Sequence, residues 1–170
     1  MCGTTTTHNN LCSHEMKSIQ SIENEIIQSF ESLSTVDEKY ALLFKLGENL
    51  PPIHPELKTD ENLVRGCQSL LWFHLSEEGG HFSLTADSDS MVIKGISALL
   101  VRLVEGRTAE EILTIDMDFI DKLKIWKLAS KRNNSLMAML AHIHARVRLE
   151  HSAKSTGLQN SAREDTLKPR

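Results

Sequence analysis

The spacing of apolar residues changes period twice along this 170-residue chain, and that change limits the architectures open to it. Up to Phe44, large apolar residues recur every three and four positions. From Asn62 to Ala86 they run side by side or alternate, and from Met91 the three-and-four spacing returns. The first pattern lays an apolar stripe along a helix and the second lays one along a strand. Helical segments on both sides of a short block of strands predict an α+β domain, with several helices packed on a small antiparallel sheet.

Ile19, Ile22, Ile26, Phe30 and Leu33 define the first helix, with Glu23, Glu25 and Glu31 toward water. Thr35 followed by Glu38 is a capping-box pattern. It opens a second helix striped by Tyr40, Leu43 and Phe44, with Gly47 near its end and Pro51 and Pro52 forbidding its continuation. A loop follows from Ile53 to Asp60. Three strands are expected, at 62–65, 70–75 and 81–86, the last two joined as a hairpin through Glu77, Glu78, Gly79 and Gly80. The second strand is apolar on both faces except at His74, which predicts cover on both. The third turns Phe82, Leu84 and Ala86 inward. Asp87 to Ser90 offer capping side chains to a helix carrying Met91, Val92, Ile96, Leu99, Leu100 and Leu103, closed by Gly106. Thr108 with Glu111 is a second capping box. A further helix is expected over 118–128, and Leu136, Met139, Leu140, Ile143 and Val147 mark a terminal helix capped from Asn133 or Asn134.

Residues 1–16 are rich in Thr, Asn, Ser and His and lack the apolar surface to offset chain entropy, so they are expected to form a disordered tail. Residues 151–170 are similarly polar and are expected to form a second tail, leaving one domain over 17–150. The 19 basic and 23 acidic side chains give a net charge of −4. Lys and Arg are scattered with no basic stripe, which argues against nucleic acid as a partner. The longest apolar stretch, residues 96–104, is interrupted by Arg102 and falls far short of the roughly 20 residues that cross a bilayer, which argues against a membrane. The first residues lack the cationic start and apolar core of a secretory signal, and a cytoplasmic location is expected.

Cys2, Cys12 and Cys67 are an odd, sparse set that makes no disulfide framework, and Cys67 is the one thiol in the expected domain. It follows Gly66 between two expected strands, where the backbone turns sharply. Two readings are open from the residues alone. Cys67 is a small buried hydrophobe among Leu63, Val64, Leu70 and Leu71, or it is a nucleophile presented on a tight turn, its thiolate favoured by Arg65 two positions away.

The run Val64-Arg65-Gly66-Cys67-Gln68-Ser69, followed by Trp72, resembles the signature of the SufE family of sulfur-acceptor proteins. Three more blocks resemble that family in the same order. They are Glu38 to Pro51, Ala86 to Gly95 with its Asp-Ser-Asp and Val-Ile-Lys-Gly steps, and Arg132-Asn133-Asn134-Ser135-Leu136 through Leu140. Together they spread over residues 19–148. Ser135 stands where the family typically has glycine, and Leu70 and Leu71 where a polar residue and a valine are common.

The resemblance implies a SufE/IscU-like fold with a three-stranded antiparallel sheet. It also implies that Cys67 receives persulfide sulfur from a cysteine desulfurase of the SufS or CsdA kind, stimulates that enzyme, and passes the sulfur to an iron–sulfur scaffold complex of the SufBCD kind. It implies no cofactor and no metal. Arg65, Gly66, Gln68, Asp89 and Arg132 are then supporting residues around Cys67. An acceptor thiol has to be sheltered when alone and reachable when docked. Cys67 is therefore expected to rest in an apolar pocket and swing outward on its partner. An iron–sulfur or zinc scaffold of IscU-like fold is the alternative, and it requires about three thiolates or equivalent ligands at one site.

Other residues carry plainer expectations. Asp87 and Asp89 are expected to cap the following helix, with a hold on the cysteine loop as the second reading. Arg132 is either a contact to that loop or partner, or a solvated side chain. Trp72 is expected in the core. His142 and His144, two apart on one helix, point to different faces and make no chelating pair. Cys2, His8, Cys12 and His14 are too irregularly spaced for a zinc site.

Overall fold

A computed structural model describes residues 17–116, 118–123 and 133–164. Among the described residues six helices and two strands follow one another: α1 (Ile19–Glu31), α2 (Val36–Asn49), a 3-10 turn (Pro55–Leu57), β1 (Leu71–Glu78), β2 (His81–Ser88), α3 (Met91–Val104), α4 (Ala109–Leu113), α5 (Asp118–Lys122) and α6 (Asn133–Glu164).

Local signals set most boundaries. Thr35 Oγ1 accepts from the Glu38 backbone N–H while the Glu38 carboxylate accepts from the Thr35 N–H, and Thr108 and Glu111 repeat the arrangement at α4. β1 and β2 pair antiparallel from Leu71↔Ser88 to Glu78↔His81. Gly79 and Gly80 fill the two turn positions with φ of 59° and 86°, as a two-residue hairpin twisted like its strands requires. This register aligns Phe73 with Ala86 and Leu75 with Leu84, all four buried on one face. The apolar α3 packs on that hairpin through β2 and lies against α2 and α1, while α6 covers β1 and α4. Ile93, Ile96, Leu100 and Leu103 from α3 and Leu136, Met139, Ile143 and Val147 from α6 join the strands in one core.

Five expectations need correction. The third strand, at 62–65, is an isolated bridge between Leu63 and Trp72, so the sheet has two strands among the described residues. Gly66, at φ 89°, turns the chain away before a ladder can extend. Leu70 stands outside β1 and is 52% exposed. The second face of β1 is only half covered, and Trp72 is half-buried on it with the Lys58 ammonium 5.2 Å from its ring centroid. Ser90, not Asp87 or Asp89, caps α3 by accepting from the Ile93 N–H. Finally, α6 continues as helix through 151–164, where a polar tail is expected from the sequence. The remainder of the helix expected over 118–128, beyond Lys122, lies for the most part outside the described residues.

Candidate functional site

Cys67 sits in a five-residue excursion, residues 65–69, whose two ends are fastened firmly. Upstream, the Val64 N–H donates to the Leu71 carbonyl and the Phe73 N–H to the Asn62 carbonyl, each at 2.8 Å. Downstream, the Leu70 carbonyl accepts from Ser88 Oγ at 2.7 Å and from the Asp89 N–H at 3.2 Å. Between these anchors, residues 65–69 make a tight turn at Arg65 and Gly66, and no side-chain hydrogen bond ties them to another described residue. Among the described residues the excursion is therefore pinned at its base and held along its length only by that turn and by the packing of Cys67 on the core, the pattern of a segment that can move without unfolding its neighbours.

The base is reinforced by a buried carboxylate. Asp87 takes Lys58 at 2.7 Å and Lys94 at 3.1 Å, joining the segment before the cysteine loop to the end of β2 and the first turn of α3. Burial pushes the Asp87 carboxyl up, but the hydrogen bonds and charges of the two lysines outweigh it and hold the group below the usual aspartate range. Asn62, also buried, donates to the Leu57 carbonyl at 2.8 Å and steadies the same segment.

The expected site residues distribute unevenly about this frame. Cys67 is half-buried and packs against the apolar core, so it is sheltered on one side rather than enclosed. Arg65, Gly66 and Gln68 are exposed. Gly66 needs its freedom for the positive φ, and a Cβ there would stand 3.5 Å from the Ala138 Cβ of α6, an ordinary contact. Asp89 contributes through its backbone, with its side chain exposed. Arg132, Cys2 and Cys12 lie outside the described residues. A groove of about 340 Å³ opens beside the loop, with Leu63 and Arg65 on one side and Ala138, Ala141 and His142 of α6 on the other, and with Asp60 and Glu61 also lining it. The sequence suggests His142 only as a metal ligand to be weighed, because nothing in its spacing shows that α6 turns it toward the cysteine loop. Among the described residues no group of three or more His, Cys, Asp or Glu side chains is placed to hold a metal.

The model of the "SufE: Fe-S metabolism associated domain" matches residues 24–147, a span that contains this loop, its anchors and most of the elements around them. The chain belongs to the SufE family. Its sequence is 41% identical over 118 residues to SufE-like protein 1, chloroplastic/mitochondrial, of Arabidopsis thaliana, covering 68% of this chain and 32% of that protein. The chain thus matches about a third of that relative's length. The solution structure of a hypothetical protein from Thermus thermophilus shares the fold, with a TM-score of 0.65 at 22% identity over 77% of this chain and 96% of that one. The SufE match draws attention to the one described thiol.

Proposed function

We propose that Cys67 accepts sulfane sulfur from a cysteine desulfurase, stimulates that enzyme by removing its product, and hands the sulfur to an iron–sulfur assembly scaffold. SufS- or CsdA-like desulfurases and a SufBCD-like scaffold are the partners this reading names, in a reducing compartment such as the cytoplasm. The observation that carries it is a half-buried thiol on a loop pinned at both ends, with no side-chain hydrogen bond between them to another described residue, in a SufE domain.

The chemistry needs no cofactor. The Cys67 thiolate attacks the outer sulfur of the donor's protonated persulfide. A new S–S bond forms at Cys67 as the donor's S–S bond breaks, and the electron pair leaves on the donor's cysteine as a thiolate. The count of disulfide-type bonds is unchanged, so no oxidant enters. Partial burial shields the loaded persulfide from free thiols and oxidants, and outward motion of residues 65–69 meets the donor.

The test is to incubate the full chain with desulfurase and cysteine and weigh the Cys67 peptide. One added sulfur atom is expected on Cys67, together with faster cysteine turnover, and both are expected to vanish in Cys67→Ser while Cys2→Ser and Cys12→Ser behave like wild type. Stimulation undiminished in Cys67→Ser refutes the assignment. Visible absorption or stoichiometric zinc in the purified protein would favour the scaffold alternative.

A further inference from the structure

We propose that Ser88 is the positioning residue of the cysteine loop. Its hydroxyl holds the downstream end of residues 65–69, and the strength of that hold sets how often Cys67 turns outward. For its purpose the inference rests on the sulfur-acceptor reading, but its observations stand apart from it.

The register Leu71↔Ser88 sets the last residue of β2 beside the first of β1, where the loop returns to the hairpin. There Ser88 Oγ donates to the Leu70 carbonyl at 2.7 Å and accepts from the Ser90 N–H at 3.2 Å. A hydroxyl has one proton to give, and here a backbone acceptor and a backbone donor fix where it points. Ser90 in turn caps α3, and the Ser88 N–H donates at 3.0 Å to Asp87, which also carries Lys58 and Lys94. The hydroxyl is thus rooted in α3 and the Asp87 cluster, outside the loop it holds.

Among the described residues Ser88 is the one side chain that hydrogen-bonds the chain between Arg65 and Leu70. The sequence offers Asp87 and Asp89 as holders of the loop, and the structure gives the side-chain grip to the serine between them. The Leu70 carbonyl also accepts from the Asp89 N–H, at the longer distance of 3.2 Å. The Leu70 side chain is 52% exposed, so packing adds little at this end. Cys67 can leave its apolar contacts only as far as Leu70 lets the chain swing. Losing the hydroxyl removes the shorter of two bonds at that point and leaves the carbonyl one partner. A neutral hydrogen bond of this kind shifts a local equilibrium severalfold, enough to bias opening without unfolding the domain.

The experiment uses the full chain with Cys2→Ser and Cys12→Ser, and follows alkylation of Cys67 by iodoacetamide at fixed pH with no desulfurase present. Ser88→Ala is expected to react about fivefold faster. Ser88→Thr, which keeps a hydroxyl on the same carbon, is expected to react at close to the wild-type rate. An alanine variant at the wild-type rate, or a threonine variant as fast as the alanine one, overturns the proposal. Should Ser88→Ala melt early, its alkylation is repeated in urea below the unfolding transition. Local opening exposes little surface, so a rate nearly independent of urea supports the proposal, whereas the urea dependence of global unfolding overturns it. Desulfurase and cysteine then separate the two readings. Fast alkylation of Ser88→Ala in a chain that never takes sulfur sinks the sulfur-acceptor reading and leaves the hold of Ser88 standing. Where Cys67 does take sulfur, loaded Ser88→Ala is expected to lose it to added dithiothreitol about fivefold faster than loaded wild type, and equal lifetimes overturn the proposal.

Discussion

Asp87 receives two ammonium groups at once, and its position explains why an aspartate near a helix start is not its cap. The Ser90 hydroxyl already accepts from the Ile93 N–H, while the Asp87 carboxylate, 13% exposed, is drawn to Lys58 and Lys94. Removing its charge leaves two partly buried cations without a counter-charge. Lys58 is partly solvated, so the Coulomb gain is discounted. Asp87→Asn is expected to lose about 2 kcal/mol of stability at neutral pH. The sign of the pH dependence follows from the lowered folded pKa. The carboxylate's contribution is complete above the unfolded value of about 3.9 and is lost as pH falls through the lower folded one. Urea unfolding of the two proteins at neutral pH and near pH 3 is expected to show the difference shrinking in acid, and an equal difference at both would refute the ion-pair account. The same substitution is expected to speed alkylation of Cys67, since Lys58, Trp72 and the Leu70 anchor all meet at this corner.

Between elements, α2 and α3 come close together at two glycines. A Cβ built on Gly95 would stand 2.1 Å from the Leu43 carbonyl oxygen, and one on Gly47 would stand 3.0 Å from the Met91 carbonyl oxygen. Both obstacles are backbone, so relief requires the helices to move apart. Gly95→Ala is expected to cost about 3 kcal/mol and Gly47→Ala less, at the low end of the overpacking range. Urea midpoints give the order, and a Gly95→Ala protein as stable as wild type would mean the helices are not held at that distance. Elements whose signal is local were legible in the sequence, as the two capping boxes and the Gly79-Gly80 turn show. The third strand was not, because its extent is decided by where Gly66 turns and by how few residues reach Trp72, and neither is a property of residues 62–65 alone. The continuation of α6 was hidden for a different reason. Residues 151–164 carry no apolar period, yet a helix already nucleated upstream continues through them, since propagation costs less than nucleation. The site divides the same way. Cys67 stands out as the lone thiol of the domain, whereas the groove beside its loop exists only through the packing of α6.

For the whole molecule, α6 is the element that joins the hairpin to α4, and it does so with two half-buried histidines. His142 packs on Phe73, and the His144 ring nitrogen Nε2 lies 3.1 Å from the Ile112 carbonyl. Burial lowers both pKa values. Arg146 adds to this at His142. At His144 Arg148 lowers the value further, and hydrogen bonds to the Ile112 and Ile115 carbonyls recover only part. A histidine whose folded pKa lies below its unfolded value of about 6.5 takes up its proton more readily in the unfolded chain. Stability is therefore complete above that pH, falls as pH drops through 6.5, and levels off once the folded form is protonated too. Displaced carboxylates act lower. Glu23, raised chiefly by burial and then by Asp116, works in the opposite direction, and Glu25, Glu38 and Glu111, lowered mainly by hydrogen bonds, work in the same direction. Glu25, Glu38 and Glu111, lowered from 4.5, act below the interval from about pH 6.5 to 5, whereas Glu23, raised from 4.5, opposes the histidines toward the acid end of it. Urea unfolding is expected to show a loss on the order of 1 kcal/mol between pH 7 and 5. The double variant His142→Gln with His144→Gln is expected to be less stable at pH 7 but nearly flat across that interval. A wild-type curve already flat, or a double variant with the wild-type slope, would place the acid sensitivity outside α6.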